Sequence, residues 1–395
     1  NLVSATLNSL ANKLYYTAYT TGERNLTGKA EIAEGLTTSS ASKRLENITF
    51  DETTGQGGYS YTEAADLEQS STAFTTRIRG TIADQEYVDA HVRLSDDTYF
   101  FSKDASISYQ NDAGDAGAIN PNADLSIDAE NAVLTIKSGT KTAGAEEAAA
   151  IANDTGKAVD IKAKTLKLVV NDTTSAAPLN YAWGIRTGAG TTSISGMTEI
   201  AVGGAKESKA IEATGGKVTL EGLSATTNAA ADDAATLFAQ GDGHIQVNVA
   251  GANAGSGKVM LNGDIAAKDA TSRVDLGVLG EASYLKGLAY GDGTINLYLQ
   301  KGGIWQNGKQ GAGVPTAFTG SRVSRLTGGS DANQPGAIFQ KDERPITIDE
   351  YNGHTKVFFE HEASTPTTIK GGDLVVKKAA AGSNITLITD SAGLD

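Results

Sequence analysis

Short runs of alternating apolar and polar residues recur through the middle of this 395-residue chain at a nearly fixed interval. Each run lies beside a tight corner, which contains glycine in most copies, and an apolar-x-apolar strand follows the corner. The aligned copies are AVDIKAKTLKL (158–168), WGIRTGAGTTSI (183–194), KAIEATGGKVTL (209–220), TLFAQGDGHIQV (236–247) and GLAYGDGTINL (287–297), anchored at Lys164, Gly190, Gly216, Gly243 and Gly293. The anchors are 26, 26, 27 and 50 residues apart, and a degenerate copy, AKDATSRVDL (267–276), falls within the last gap. A period of about 20 to 50 residues is typical of solenoids.

A fixed period with the corner always in one place predicts a coil and not a chain of hairpins. In KAIEATGGKVTLEG (209–222) the Gly-Gly pair at first suggests a hairpin tip. In a coil, the two strands beside it pair instead with the turns before and after them. Period-2 alternation then places Val218 and Leu220 inside, stacked on the next copies, and Lys217 and His244 outside. We therefore predict an all-β fold, a right-handed parallel β-helix.

The first part of the chain follows a different pattern. Leu7, Leu10, Leu14 and Ala18 have the spacing of an amphipathic helix. We predict that residues 1–125 form a short N-terminal helix and an irregular β cap with the first coils, and that 126–395 form the stalk. Residues 313–340 are predicted to be a long loop. Because the chain ends on a strand pattern, ITLITDSAGLD, we expect the stalk to be truncated at its C-terminus.

Composition excludes several classes of function. The net charge is −14 and the pI is about 4.8, which argues against nucleic acids and anionic membranes as partners, since both attract basic patches. The chain has no cysteine, which excludes thiolate metal sites, disulfides and cysteine nucleophiles and fits export through an oxidising periplasm. No apolar run approaches the roughly 20 residues of a membrane-spanning helix.

Motifs for catalysis and cofactor binding are incomplete. The segment ANAGSGKVM (252–260) imitates a phosphate-binding loop, but Val259 stands where a hydroxyl must hold Mg²⁺. His354 and His361 flank the strand KVFFE without the spacing of a zinc site. The Gly-Asp-Gly corners at 241–243 and 291–293 lack the tandem repeat of a calcium roll. We predict no cofactor, no bound metal and no catalytic residue.

A β-helical polysaccharide lyase is the main enzymatic alternative. Such enzymes gather carboxylates for Ca²⁺ on adjacent turns, beside an Arg or Lys base. The aligned outward positions of this chain are mixed and mostly neutral. Arg273 and Asp275 form the one charged pair among them, which we interpret as a surface pair.

The chain resembles the passenger domains of bacterial autotransporters, the type V secretion class. The resemblance lies in the rung pattern xAIxAxGGxVxLxG, in GTINLYLQKGGIWQN (293–307), in KGGDLVVKKAAAGSNITLITD (370–390) and in the opening segment NKLYYTAYTTGERNLTGKAEIAEGLTTSSAS (12–42). It implies an exported β-helical stalk, threaded through a C-terminal outer-membrane β-barrel of the full-length protein and displayed on the bacterial surface. The GDSG-like motif of protease passengers and the GDSL-like blocks of esterase passengers are absent. No catalytic residue is therefore carried over.

Because the protease and esterase motifs are absent, the resemblance implies adhesion as the function. We predict a non-enzymatic adhesin that binds a host glycan or protein, or other bacterial cells, through many weak contacts. A self-associating aggregation or biofilm factor is a further alternative. The candidate contact residues lie on the outward strand positions, beside the predicted loop or within it: Lys217, His244, Thr294, Trp305, Arg322 and Arg325.

Overall fold

The computed structural model describes much of the chain as β-strands and short connections. The described residues are 45–51, 56–61, 67–68, 74–78, 86–90, 92–95, 98–100, 104–110, 116–121, 124–139, 147–170, 179–227, 233–251, 253–308, 320–340, 344–362, 365–370 and 374–389. No helix occurs in these segments, so the prediction of an all-β fold is confirmed for the described residues. The predicted N-terminal helix lies outside the described residues.

The strands are numbered in chain order. The first half comprises β1 (Leu45–Asp51), β2 (Gln56–Tyr61), β3 (Leu67–Glu68), β4 (Phe74–Ile78), β5 (Glu86–Ala90), β6 (Val92–Ser95), β7 (Thr98–Phe100), β8 (Ala105–Gln110), β9 (Ala116–Ile119), β10 (Leu125–Gly139), β11 (Glu147–Asn153), β12 (Ala158–Val170), β13 (Leu179–Thr187), β14 (Thr191–Val202), β15 (Ala205–Ala213) and β16 (Lys217–Thr226). The second half comprises β17 (Asp233–Ala239), β18 (His244–Val247), β19 (Val259–Asn262), β20 (Ile265–Ala267), β21 (Arg273–Leu279), β22 (Tyr284–Lys286), β23 (Ala289–Tyr290), β24 (Thr294–Gln300), β25 (Ile304–Asn307), β26 (Ser321–Thr327), β27 (Gly336–Gln340), β28 (Ile346–Asn352), β29 (His354–Glu362), β30 (Thr365–Lys370), β31 (Leu374–Ala379) and β32 (Asn384–Thr389).

Most of these strands stack in three parallel ladders, in which each strand pairs with one about a repeat away. Ladder 1 contains β7, the first halves of β10, β12, β14 and β16, and then β18, β21, β24, β26, β28 and β31. Ladder 2 contains β8, the second halves of the same long strands, and then β19, β22, β25, β27, β29 and β32. Ladder 3 contains β9, β11, β13, β15, β17, β20 and β23. This parallel pairing is consistent with a β-helix.

One hydrophobic core lies between the ladders. Ile161 of ladder 1, Leu168 of ladder 2 and Ile185 of ladder 3 are all fully buried and belong to the same cluster. The alternation that the sequence shows produces this core, because every second side chain is buried within each half of β12 and along β18. As predicted, Val218 and Leu220 stack on Ile245 and Val247. Each buried aliphatic side chain of this kind contributes about 1.5–3 kcal/mol.

The glycine corners connect ladder 3 to ladder 1. Gly216 lies between β15 and β16, which do not form a hairpin: β15 pairs with β13 and β17, and β16 pairs with β14, β18 and β19. The corners stack closely on one another, with His244 N donating to Gly216 O at 3.0 Å. A Cβ at Gly243 would lie 2.0 Å from Ala213 O of the preceding corner. Position 243 therefore requires glycine, because a side chain there would collide with the backbone of the preceding turn.

Two sequence predictions are wrong in detail. Thr191 pairs with Ala158, so the residue that aligns with Gly190 is Lys157 and not Lys164. The alignment slipped because AVDI and TLKL, the two halves of the bent strand β12, have the same alternation. The predicted loop 313–340 contains strands β26 and β27, whose residues alternate between buried and partly exposed. The glycines and prolines around these strands suggested a loop.

Antiparallel strands occupy the N-terminal side of the stack. β6 pairs antiparallel with β7, and β5 pairs antiparallel with β8, so the first strands of ladders 1 and 2 have their outer edges at least partly paired. The strands β3, β4 and β5 form an antiparallel series, and β1 pairs with β2. The boundary at residue 125 stays a prediction.

Candidate functional site

A continuous row of polar residues runs along the outer face of ladder 1. We call this set the central outer row; each member pairs in register with the next, and one comes from each ladder strand from β10 to β31: Ser126, Asp160, Ser193, Thr219, Gln246, Asp275, Asn296, Arg325, Glu350 and Lys378. At about 4.8 Å between neighbouring strands, the row is about 43 Å long. Polar side chains occur at every position because the alternation directs the apolar residues inward.

A hydrogen-bonded network surrounds Asp275 in the middle of this row. His244 Nε2 lies 2.7 Å from Asp275 Oδ2, and Arg273 Nε lies 3.1 and 2.9 Å from the two carboxylate oxygens. Asn296 Nδ2 donates to Oδ1 at 2.9 Å. Asp275 is only 3% exposed, so its charge is enclosed by these donors. Charge-assisted hydrogen bonds of this kind fix the imidazole and the guanidinium at the surface.

Ion pairs continue the surface toward the C-terminal strands. Arg325 lies 2.9 Å from Glu350, whose partner on the next strand is Lys378. Arg322 lies 2.7 Å from Asp349, and Lys377 lies 3.5 Å from the same carboxylate. Positive and negative residues therefore alternate from strand to strand.

A cleft of about 400 Å³ opens beside these ion pairs. Its lining is polar and aromatic: Tyr298, Arg325, Thr327, Glu350, Tyr351, Asn352, Lys378 and Ala380. Tyr351 is buried, and its hydroxyl lies 2.6 Å from Asn384 O and 3.0 Å from Thr355 Oγ1. Burial raises the pKa of Tyr351 above its ordinary value, while the hydrogen bond with Thr355 opposes this shift. The phenol is therefore neutral at physiological pH.

The structure brings five of the six predicted contact residues onto one ladder. Lys217 pairs with His244, which pairs with Arg273, which pairs with Thr294. Arg322 and Arg325 lie on β26 of the same ladder.

Trp305 does not fit the predicted role. It lies on ladder 2 and is fully buried, and its indole Nε1 donates to Gly287 O at 2.9 Å. It cannot contact a ligand from this position, so we remove it from the candidate surface. The sequence suggested an exposed strand end because glycine and a loop-like segment flank it.

Sequence reasoning missed the central position of Asp275. Asp275 was interpreted as the partner of Arg273 alone, whereas it also binds His244 and Asn296 on the neighbouring strands. The contact between His244 and Asp275 is diagonal across the ladder. The signal that could have found it was the register of the degenerate copy, in which Arg273 lies 29 residues after His244 and Asp275 lies two residues further on.

The arrangement is suited to binding by hydrogen bonds and ion pairs. The described bonds to Asp275 come from His244, Arg273 and Asn296 and include no hydroxyl nucleophile. Within the described residues, no group of three or more His, Cys, Asp or Glu side chains could hold a metal ion. None of the described segments forms an apolar helix long enough to span a membrane.

Comparison with known proteins adds no relative, since no family model, curated protein or solved structure matches this chain.

Proposed function

We propose that this chain is the right-handed parallel β-helical passenger of a bacterial surface adhesin of the autotransporter kind, with an N-terminal cap. It would bind glycans or proteins of host or bacterial surfaces without catalysing a reaction. A C-terminal barrel would anchor it in the outer membrane. The observation that carries the proposal is the central outer row, a polar strip about 43 Å long on one face of parallel ladders. Such a strip offers hydrogen-bond donors and acceptors about 4.8 Å apart, which is the distance between neighbouring strands.

The mechanism would be polyvalent contact. Each exposed polar group or surface ion pair contributes little by itself, because water competes for it. Many copies on one cell, each presenting the same strip to a repetitive surface, would add these weak contacts into firm attachment. The acidic net charge of −14 would limit indiscriminate binding to anionic surfaces.

The test is a binding screen of the purified chain against glycans and matrix proteins, run beside a cell aggregation assay. The key variant is Arg325→Ala with Lys378→Ala in the central outer row. The matched control is Lys137→Ala with Lys167→Ala, which removes two positive charges from exposed positions on ladder 2. We expect the first pair to reduce binding about tenfold and the control to leave it unchanged.

Failure to bind any surface would reject the adhesin function, and equal losses in both variants would reject the central outer row as its site. Breakdown of a polysaccharide at catalytic rates would favour the lyase alternative instead. His244 beside Asp275 would then be the first residue to test, with His244→Gln.

A further inference from the structure

A stacked aromatic pair lies on the outer side of ladder 3, on a different ladder from the central outer row. The rings of Tyr181 and Trp183 in β13 are stacked, with centroids 5.5 Å apart and planes within 6°. Trp183 is almost buried and lies outside the main core, in a small cluster with Ala149 and Ala152. Tyr181 is 38% exposed, more than any other aromatic residue whose side chain the structure describes. The accessible aromatic surface therefore belongs to Tyr181, and Trp183 supports it.

Hydrogen bonds and a cation fix the supporting indole. The indole N–H of Trp183 donates to the carboxylate of Glu212, and the amide of Gln240 donates to the other oxygen of that carboxylate. The guanidinium of Arg186 lies 4.5 Å from the centre of the Trp183 ring. Because both its edge and its ring have partners, the indole has little freedom to turn, and the Tyr181 ring stacked on it is preorganised.

Arg186 is itself held by two carboxylates. It lies 3.0 Å from Glu147 and forms a closer ion pair with Asp154. Burial by itself would lower the pKa of Arg186, but the hydrogen bonds and charges of Asp154 and Glu147 outweigh it and raise the pKa. The residue therefore remains a cation beside the Trp183 ring at physiological pH.

Carboxylates flank the exposed ring on both sides. Tyr181 pairs in register with Glu147 on β11 and with Glu207 on β15, each about 4.8 Å away along the ladder. The side chains of Glu147 and Glu207 are 36% and 42% exposed. Lys209 Nζ lies 3.8 Å from Glu207 and 4.5 Å from the centre of the Phe238 ring. The result is an exposed aromatic face between two hydrogen-bond acceptors.

This combination suits a neutral pyranose sugar. A pyranose presents C–H groups on one face, which pack on the electron-rich face of an aromatic ring, and hydroxyls at its rim, which donate to carboxylates. Uronic and sialic acids and nucleic acids would place their negative charge beside Glu147 and Glu207, so these ligands are disfavoured.

We propose that Tyr181, flanked by Glu147 and Glu207 and supported by Trp183, is a stacking subsite for a neutral pyranose sugar. This inference rests on the proposed function, since it names the ligand class of the adhesin. It assigns that ligand to the outer side of ladder 3, apart from the central outer row.

The test uses tryptophan emission and saturation-transfer NMR of the whole chain with lactose, maltose, cellobiose and mannobiose. The chain contains two tryptophans, and Trp305 is fully buried, so a change in emission on ligand binding reports on Trp183. We expect a saturable change with at least one disaccharide and affinity about tenfold weaker in Tyr181→Ala. Glu207→Gln should weaken binding severalfold, and digalacturonate should not bind. The NMR measurement is needed because Tyr181→Ala itself alters the surroundings of Trp183.

The matched control is Tyr284→Ala. Tyr284 is a half-buried tyrosine of ladder 2 whose ring lies 4.5 Å from Lys286 Nζ, with no carboxylate among its register partners Met260 and Ile304. Its replacement should leave sugar binding unchanged. Far-ultraviolet circular dichroism of each variant confirms that the fold is retained. No response to any neutral disaccharide, or equal affinity in Tyr181→Ala, would overturn the inference.

The two proposals fail in different ways. If the chain binds surfaces but neutral disaccharides do not compete and Tyr181→Ala binds normally, the sugar subsite is wrong and the adhesin function stands. If disaccharides bind at Tyr181 while no surface is bound, the subsite stands and the adhesin function is wrong.

Discussion

Two regions of the described residues differ in the number of ladders and in the side chains of the core. From β9 to β23 the core lies between three ladders, and the inner row of ladder 3 is aliphatic: Ile151, Ile185, Ile211, Leu237, Ile265 and Ala289. In the described residues after Tyr290, only ladders 1 and 2 continue, and two aromatic residues, Trp305 and Tyr351, are buried in the core. In this part of the described chain, the core therefore contains larger side chains than the aliphatic inner row of ladder 3 supplies.

The inner rows show where an aromatic residue takes the place of an aliphatic one. Trp305 follows Ala225, Leu261 and Leu285 in one inner row of ladder 2. Tyr351 follows Leu297 and Leu326 in an inner row of ladder 1. Each aromatic residue also finds a polar partner, Gly287 O for the indole and Asn384 O for the phenol, which a buried N–H or O–H requires.

The largest effect on the free energy of unfolding is expected at Trp305, which tests the difference between the two regions most strongly. Trp305→Ala should lose about 3–5 kcal/mol of the free energy of unfolding, because it leaves a large cavity in the core where the fully buried indole packed. Leu261→Ala, in the same row of the three-ladder region, should cost less. Urea denaturation followed by circular dichroism measures both. A loss below about 1 kcal/mol at Trp305 would show that the buried indole is not what holds this region together.

Closely packed glycines sharpen the comparison, because both regions contain them: Gly243 lies in a corner between ladders 3 and 1, and Gly336 begins β27 of ladder 2. A Cβ at Gly243 would lie 2.0 Å from Ala213 O, and one at Gly336 would lie 2.1 Å from Leu299 O. Gly243→Ala and Gly336→Ala should each cost about 1–3 kcal/mol, since the contacts are with backbone that cannot move aside.

The control for these glycines is Gly117→Ala. The added Cβ would meet only ordinary contacts at 3.8 and 3.9 Å, so the stability should change by less than about 0.5 kcal/mol. If Gly336→Ala behaves like this control while Gly243→Ala does not, close packing at glycine is a property of the three-ladder region alone.

The smallest effect is expected at Tyr351. Tyr351→Phe should cost about 1–2 kcal/mol at pH 7, because it leaves buried acceptors without the hydroxyl. Burial raises the folded pKa of Tyr351 above the ordinary value of 10.0. The stabilisation from this shift is present below pH 10 and is lost as the pH rises through the folded pKa, because the unfolded state releases the proton first.

Thermal melts between pH 8 and 11 test the prediction for Tyr351. The melting temperature of the wild type should fall more steeply above pH 10 than that of Tyr351→Phe. Parallel curves would mean that the phenol does not contribute to the pH dependence.

Periodicity predicted the ladders and their inner rows better than their connections. The alternation around Val218 and Ile245 is local, so the register of β16 on β18 could be derived from the sequence. The slip at Lys164 arose because a bent strand repeats its own pattern, and β26 was missed because its flanking glycines and prolines favour loops. The burial of Trp305 could not be derived, since it depends on packing between turns that are far apart in the sequence.

The candidate surfaces were predictable only in part. Lys217, His244 and Thr294 follow from the aligned corners, and they do share a ladder. The network at Asp275 depends on diagonal contacts, and the stack of Tyr181 on Trp183 depends on side-chain rotation within β13. A spacing can place such residues close together, but it does not set the orientation of their side chains.

Distances along the central outer row test the central claim most directly. The chain has no cysteine, so spin labels can be placed at unique engineered cysteines on this solvent-facing row. With one label at Ser193, partners at Arg325, Glu350 and Lys378 lie five, six and seven strands away. Electron–electron double resonance should give about 24, 29 and 34 Å between the backbone positions, a rise of about 4.8 Å for each strand. Distances that do not increase by one strand spacing at each step would contradict the parallel stack on which the whole account rests.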